Sequence, residues 1–83
     1  MIVYVFEDTE GDYHAFSGEF RTAKTIFEMV EAGEGHKVKD DDGEEITKLK
    51  LARGLEQLGP GEEFDVFNED DDVVTTIRKL EVG

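Results

Sequence analysis

Carboxylates are the side chains of this chain with a chemistry to argue from. Asp occurs three in a row twice, at Asp40, Asp41 and Asp42 and again at Asp70, Asp71 and Asp72. Clustered carboxylates can ligate a hard cation, exchange protons as acid and base, or draw a cationic partner from a distance. The three chemistries require different surroundings, and the spacing separates them.

A calcium loop needs Asp at its first position, oxygen ligands at the third and fifth, Gly at the sixth and Glu at the twelfth. With Gly43 at the sixth position, Asp40 and Asp42 fall correctly, but the ends are Val38 and Leu49. Residues 68–72 contain no Gly. No metal ligand set is expected. Proton-transfer chemistry needs a concave, desolvated site, and a domain this small has little room for one. His14 stands beside Tyr13 and His36 follows Gly35, neither in a catalytic motif, so packing or surface roles are expected for both. Cys is absent, and Ser17-Gly18 lacks the nucleophile-elbow pattern. Gly33-Glu34-Gly35 and Gly59-Pro60-Gly61 have no Lys following them and lie beside acids that repel phosphate. The expectation is a protein without catalytic residues and without a cofactor.

Attraction of cations remains. Twenty-two acidic residues stand against nine basic ones in 83 residues, a formal net charge of -13. Self-repulsion of that size disfavours a compact state, and nothing about a fold demands it. The acid is concentrated. Glu7, Asp8, Glu10, Asp12 and Glu19 come before the first base; Asp40, Asp41, Asp42, Glu44 and Glu45 surround a second segment; Glu62, Glu63, Asp65, Glu69, Asp70, Asp71 and Asp72 form the third. Only one or two acids serve the geometry of any turn.

The elements that carry these groups follow from periodicity. One domain, 1–83, is expected. Residues 2–7 are β-branched and aromatic on both alternating faces, which suits a central strand. Residues 8–12 supply a turn and 13–17 the return strand. Ala23, Ile26, Phe27 and Val30 form one helical face, with Thr22 as the expected N-cap and Gly33 as the stop. A weaker hairpin, 36–39 and 44–47, surrounds the turn 40–43. Leu51, Leu55 and Leu58 mark a second helix that ends at Gly59-Pro60. Gly54 within it costs about 1 kcal/mol against Ala. Leu49 and Leu51 alternate with Lys48 and Lys50, which leaves 47–51 open between strand and helix. Residues 62–67 and 73–82 form a last hairpin about the turn 68–72. Val73, Ile77 and Leu80 also fit a helical stripe, but the run Val-Val-Thr-Thr-Ile favours strand.

The expected fold class is α+β: a small antiparallel sheet of four to six strands, ordered ββα-ββ-αββ along the chain, with two amphipathic helices on one face. Tyr4, Phe6, Phe16, Phe20, Phe27, Phe64 and Phe67 exceed what so small a core can hold, and Phe64 and Phe67 lie on opposite pleats, so one of these two should face outward. The start of the chain lacks a basic, apolar leader pattern, and no apolar run approaches the ~18–20 residues of a membrane span. A cytoplasmic protein is expected. Its acidity disfavours direct binding to nucleic acid or anionic lipid.

Carboxylates two apart on a strand, such as Glu63 and Asp65, lie about 6.6–6.8 Å apart. Duplex DNA carries one charge per ~1.7 Å of axis. Several acidic turns on one small domain therefore approach the anion density that a basic groove accepts. In size and charge the chain resembles the acidic DNA-mimicking inhibitors that phages and mobile elements direct against restriction or CRISPR enzymes. The resemblance is one of composition, and no motif carries it. It implies a non-enzymatic decoy, monomer or homodimer, that blocks the nucleic-acid groove of a larger basic protein. Its contacts would come from Glu7, Asp8, Glu10, Asp12, Asp40, Asp41, Asp42, Glu44, Glu45, Glu62, Glu63, Asp65, Glu69, Asp70, Asp71 and Asp72. Two other readings compete. The chain could be a small adaptor domain whose charge only selects partners, with an outward aromatic as anchor. Its acidity could instead be an adaptation to high salt, against which six Lys to three Arg argue.

Overall fold

The computed structural model describes residues 1–32 and 37–83. In chain order the elements are β1 (Ile2–Glu7), β2 (Tyr13–Phe16), α1 (Glu19–Ala32), β3 (Val38–Lys39), β4 (Glu45–Ile46), α2 (Lys48–Gln57), β5 (Glu63–Phe67) and β6 (Val73–Glu81). This is the expected α+β arrangement. The described strands form one six-stranded antiparallel sheet in the order β2-β1-β6-β5-β3-β4.

β1 is indeed interior, paired with β2 through Phe6↔His14 and with β6 through Tyr4↔Lys79. Its alternation sends Tyr4 and Phe6 into the core and leaves Val3 and Val5 half-buried on the opposite face. The same alternation turns Val66 on β5 and Ile77 on β6 inward. Both helices cover that inward face. α1 contributes Ala23, Ile26 and Val30 to the shared core, and α2 contributes Leu51, Ala52 and Leu55. Full burial of each of these leucines is worth roughly 1.5–3 kcal/mol. The shortest principal extent is 17 Å, which accommodates one helix layer on one sheet and leaves the far face of the sheet without helical cover.

The helix ends differ from the sequence reading in one place. α1 starts at Glu19, a turn earlier than a Thr22 cap requires, and its first helical bond runs from the Thr22 amide to the Gly18 carbonyl. Thr22 is buried, and its hydroxyl donates to that same carbonyl at 2.8 Å instead of capping free amides. The expected stop at Gly33 and the strand start at His36 lie outside the described residues. The ambiguous segment 47–51 is helical from Lys48 onward. Thr47 is extended, and its hydroxyl accepts from the Lys50 amide, which is N-cap geometry.

Gly54 has a packing reason. A Cβ there would lie 2.8 Å from Cε2 of Phe64, so the glycine lets α2 settle onto β5. At the end of α2, buried Lys79 donates to the Glu56 carbonyl at 2.9 Å and stands 5.8 Å from the Tyr4 ring. A cation at a helix C-terminus meets unsatisfied carbonyls and the negative end of the dipole, which makes its burial tolerable.

Of the aromatics, Phe64 packs against the core while Phe67, on the opposite pleat, lines a surface pocket beside the acidic turns; both are half-buried, and the bulge at this point places its extra residue, Val74, on β6. The outward aromatics are Tyr13 and Phe20, 73% and 57% exposed.

Candidate functional site

The three acidic segments are built on one hairpin turn used three times. In the first, Asp8 Oδ1 accepts from the amides of Glu10 and Asp12, the Asp8 amide donates to the Asp12 carbonyl, and the Gly11 amide donates to the Asp8 carbonyl. In the second, Asp40 Oδ1 accepts from Asp42 and Glu44, with matching backbone bonds Asp40 to Glu44 and Gly43 to Asp40. In the third, Asn68 Oδ1 accepts from Asp70 and Asp72, with Asn68 to Asp72 and Asp71 to Asn68. The fourth residue of each turn has positive φ: Gly11 at 88°, Gly43 at 81° and Asp71 at 62°. This is a three-residue hairpin loop with a left-handed fourth position, stapled by the side chain of its first residue.

The shared frame sorts the acids. The first residue is chosen by the turn, since only an Asx-type oxygen reaches both amides. The third and fifth residues contribute their backbone N–H, which any residue but Pro supplies. Yet the third is acidic in all three turns (Glu10, Asp42, Asp70), as is the fifth (Asp12, Glu44, Asp72), and all six are exposed. The turn does not ask for that acidity. A five-residue pattern was present in the sequence, Asp-Thr-Glu-Gly-Asp, Asp-Asp-Asp-Gly-Glu and Asn-Glu-Asp-Asp-Asp. It escapes notice because Asp71 replaces the expected glycine of the third copy.

Other acids hold structural partners. Asp71 pairs with Lys39 at 3.2 Å, and Lys39 also donates to the Glu69 carbonyl. Glu63 pairs with Arg78 at 3.2 Å, and Asp65 accepts from the Thr76 hydroxyl at 2.7 Å. Glu62 accepts from the Gly59 amide, and Glu44 lies 3.9 Å from Lys50. Glu7 and Glu45 are exposed, Glu7 accepting a hydrogen bond from Tyr13, which pushes that phenol's pKa up.

The turns gather. β1 and β5 both run antiparallel to β6, so the turns that follow them, 8–12 and 68–72, lie at one end of the sheet. The second turn meets the third in a shallow pocket lined by Asp40, Asp41, Asp42, Gly43, Phe67 and Asp71. Among the described residues, Asp40, Asp41 and Asp42 are the three potential ligands whose oxygens all lie within 4.8 Å of one another. Asp40 already gives Oδ1 to its turn, and Asp41 and Asp42 face solvent.

His14 packs against two aromatic rings, 5.3 Å from Phe6 and 6.1 Å from Phe16, while Arg21 covers Phe16 at 4.5 Å. Its Nε2 lies 2.7 Å from Asp8 Oδ2. That hydrogen bond, with those from the Asp12 and Glu10 amides, holds the Asp8 carboxyl below its ordinary value. The pairing was invisible in the sequence because it links the first residue of a turn to the return strand six residues on. His36 lies outside the described residues. No helix among the described residues is long and apolar enough to cross a membrane. No protein-family model matches the chain, nor does any curated protein or solved structure.

Proposed function

We propose that the protein is a non-enzymatic decoy of the cytoplasm that presents an acidic, nucleic-acid-like surface to the basic groove of a larger protein. One observation carries the reading. Three hairpin turns share a stapled frame and display exposed acids at positions where the turn needs only a backbone amide. The staple matters energetically. A displayed acid whose backbone the staple already holds has less conformational freedom to lose on docking than one on a mobile loop, so charge is delivered from a pre-organised backbone. Many partly exposed charge pairs give fast, salt-sensitive association more than slow dissociation.

The test uses a fluorescent DNA duplex held by each member of a panel of restriction and CRISPR effector proteins. The protein is expected to release the duplex from at least one of them, less effectively as NaCl rises, and to leave free duplex unbound. Reversal of Asp70, Asp71 and Asp72 to Lys should slow association more than it speeds dissociation. Direct binding to duplex, salt-independent release, or no release from any member rejects the proposal.

A further inference from the structure

We infer that the helix-free face of the sheet is a docking surface for an amphipathic, cationic helix of a partner protein; this rests on the reading that the partner is basic. The face is built around β6. Leu80 lies opposite Val3, and Arg78 lies between Val5 of β1 and Glu63 of β5. Val5, Val74 and Leu80 line a broad concavity there, with Glu7, Glu63 and Thr76 about them. Val5 and Leu80 are half-buried there although no helix covers them, and Val74, also half-buried, reaches the core at the end of the face.

Charge selects the occupant. The described strands turn two cationic side chains to this face, and each already has an acid: Arg78 pairs with Glu63 at 3.2 Å, and Lys39, toward the β3 edge, pairs with Asp71 at 3.2 Å. Glu7 stands on the β1 flank, and Glu63 and Asp65 stand on the β5 flank. The two flanking strands are about 10 Å apart, twice the ~4.8 Å strand spacing. A helix about 10–12 Å across lies in that width. Its aliphatic stripe would meet Leu80, Val5 and Val74, and its Lys or Arg flanks would meet the acids on either side. A second copy of this chain brings net charge of the same sign and is disfavoured. Anionic lipid is disfavoured for the same reason.

The test is an amide-shift titration of ¹⁵N-labelled protein with two synthetic peptides of equal charge, a helical Leu/Lys amphipath and a Ser/Lys control. The Leu/Lys peptide is expected to shift the amides of Val5, Thr76 and Leu80. The control should shift only turn amides such as Glu10, Asp42 and Asp70. Val5→Ser and Leu80→Ser should each weaken the Leu/Lys peptide about tenfold or more, with the helix amides unchanged. Shifts confined to the turns or to the helix layer, equal affinity for the two peptides, or unaltered binding by both variants overturns the inference. Duplex release is not read here. A failed decoy test therefore leaves a positive result standing, and shifts confined to the turns reject this face without rejecting the decoy.

Discussion

Asp8 shows how one side chain can be taken out of an apparent charge cluster. One of its oxygens staples a turn and the other binds the His14 ring. Its carboxyl is held below the ordinary 3.8, chiefly by His14. A carboxylate depressed in the folded state contributes stability that is complete above its unfolded value and is lost as pH falls through its folded value. The loss should therefore come below pH 3.8. His14→Phe keeps the aromatic stack and removes the hydrogen bond. In that variant the Asp8 carboxyl carbon signal should titrate at higher pH than in the parent, and acid unfolding should begin earlier. An unchanged Asp8 titration would show that the backbone amides alone set it. Asn68 performs the same stapling without charge, so Asp8→Asn should keep the turn.

At the scale of elements, Gly54 sets two effects against each other. Ala in a helix interior is favoured over Gly by about 1 kcal/mol. A methyl here would press on Phe64, with Cβ 2.8 Å from the ring. Overfilling a packed site costs typically about 1–3 kcal/mol. The clash should win, and Gly54→Ala should lower unfolding free energy by about 1 kcal/mol in urea melts. The added change Phe64→Leu should return part of the loss by vacating the space. A single variant more stable than the parent would mean that α2 is not held at this distance by the ring.

At the scale of the molecule, the charge is polarised. α2 carries Lys48, Lys50 and Arg53 against Glu56, while the acids concentrate on the turns and the helix-free face. Most turn acids lack a cation among the described residues, so repulsion between them opposes folding. Screening shortens that repulsion to ~10 Å at 0.1 M salt. The thermal midpoint should therefore rise between 20 and 300 mM NaCl, values chosen to take the Debye length from roughly 20 Å to roughly 6 Å. A flat or falling midpoint would mean that pairs such as Lys39–Asp71 and Arg78–Glu63 already compensate the charge.

Local pattern was enough for the hairpins, the two helix stripes and the α+β class, because alternation and the 3.6-residue period depend only on neighbours in sequence. The same locality placed the acids on turns. Tertiary structure decided the rest. Pairing of β1 with β6 joins Tyr4 to Lys79, and no short-range signal encodes a contact across the whole chain. Thr22 could have capped a helix, yet α1 starts at Glu19 and places the Thr22 side chain on its buried face. The choice at 47–51 was settled when Leu51 entered the common core and Thr47 found the Lys50 amide. The division of the acids into those that staple, those that pair and those left displayed depends on which atoms lie within about 3 Å of each carboxylate, a distance that only the folded chain defines.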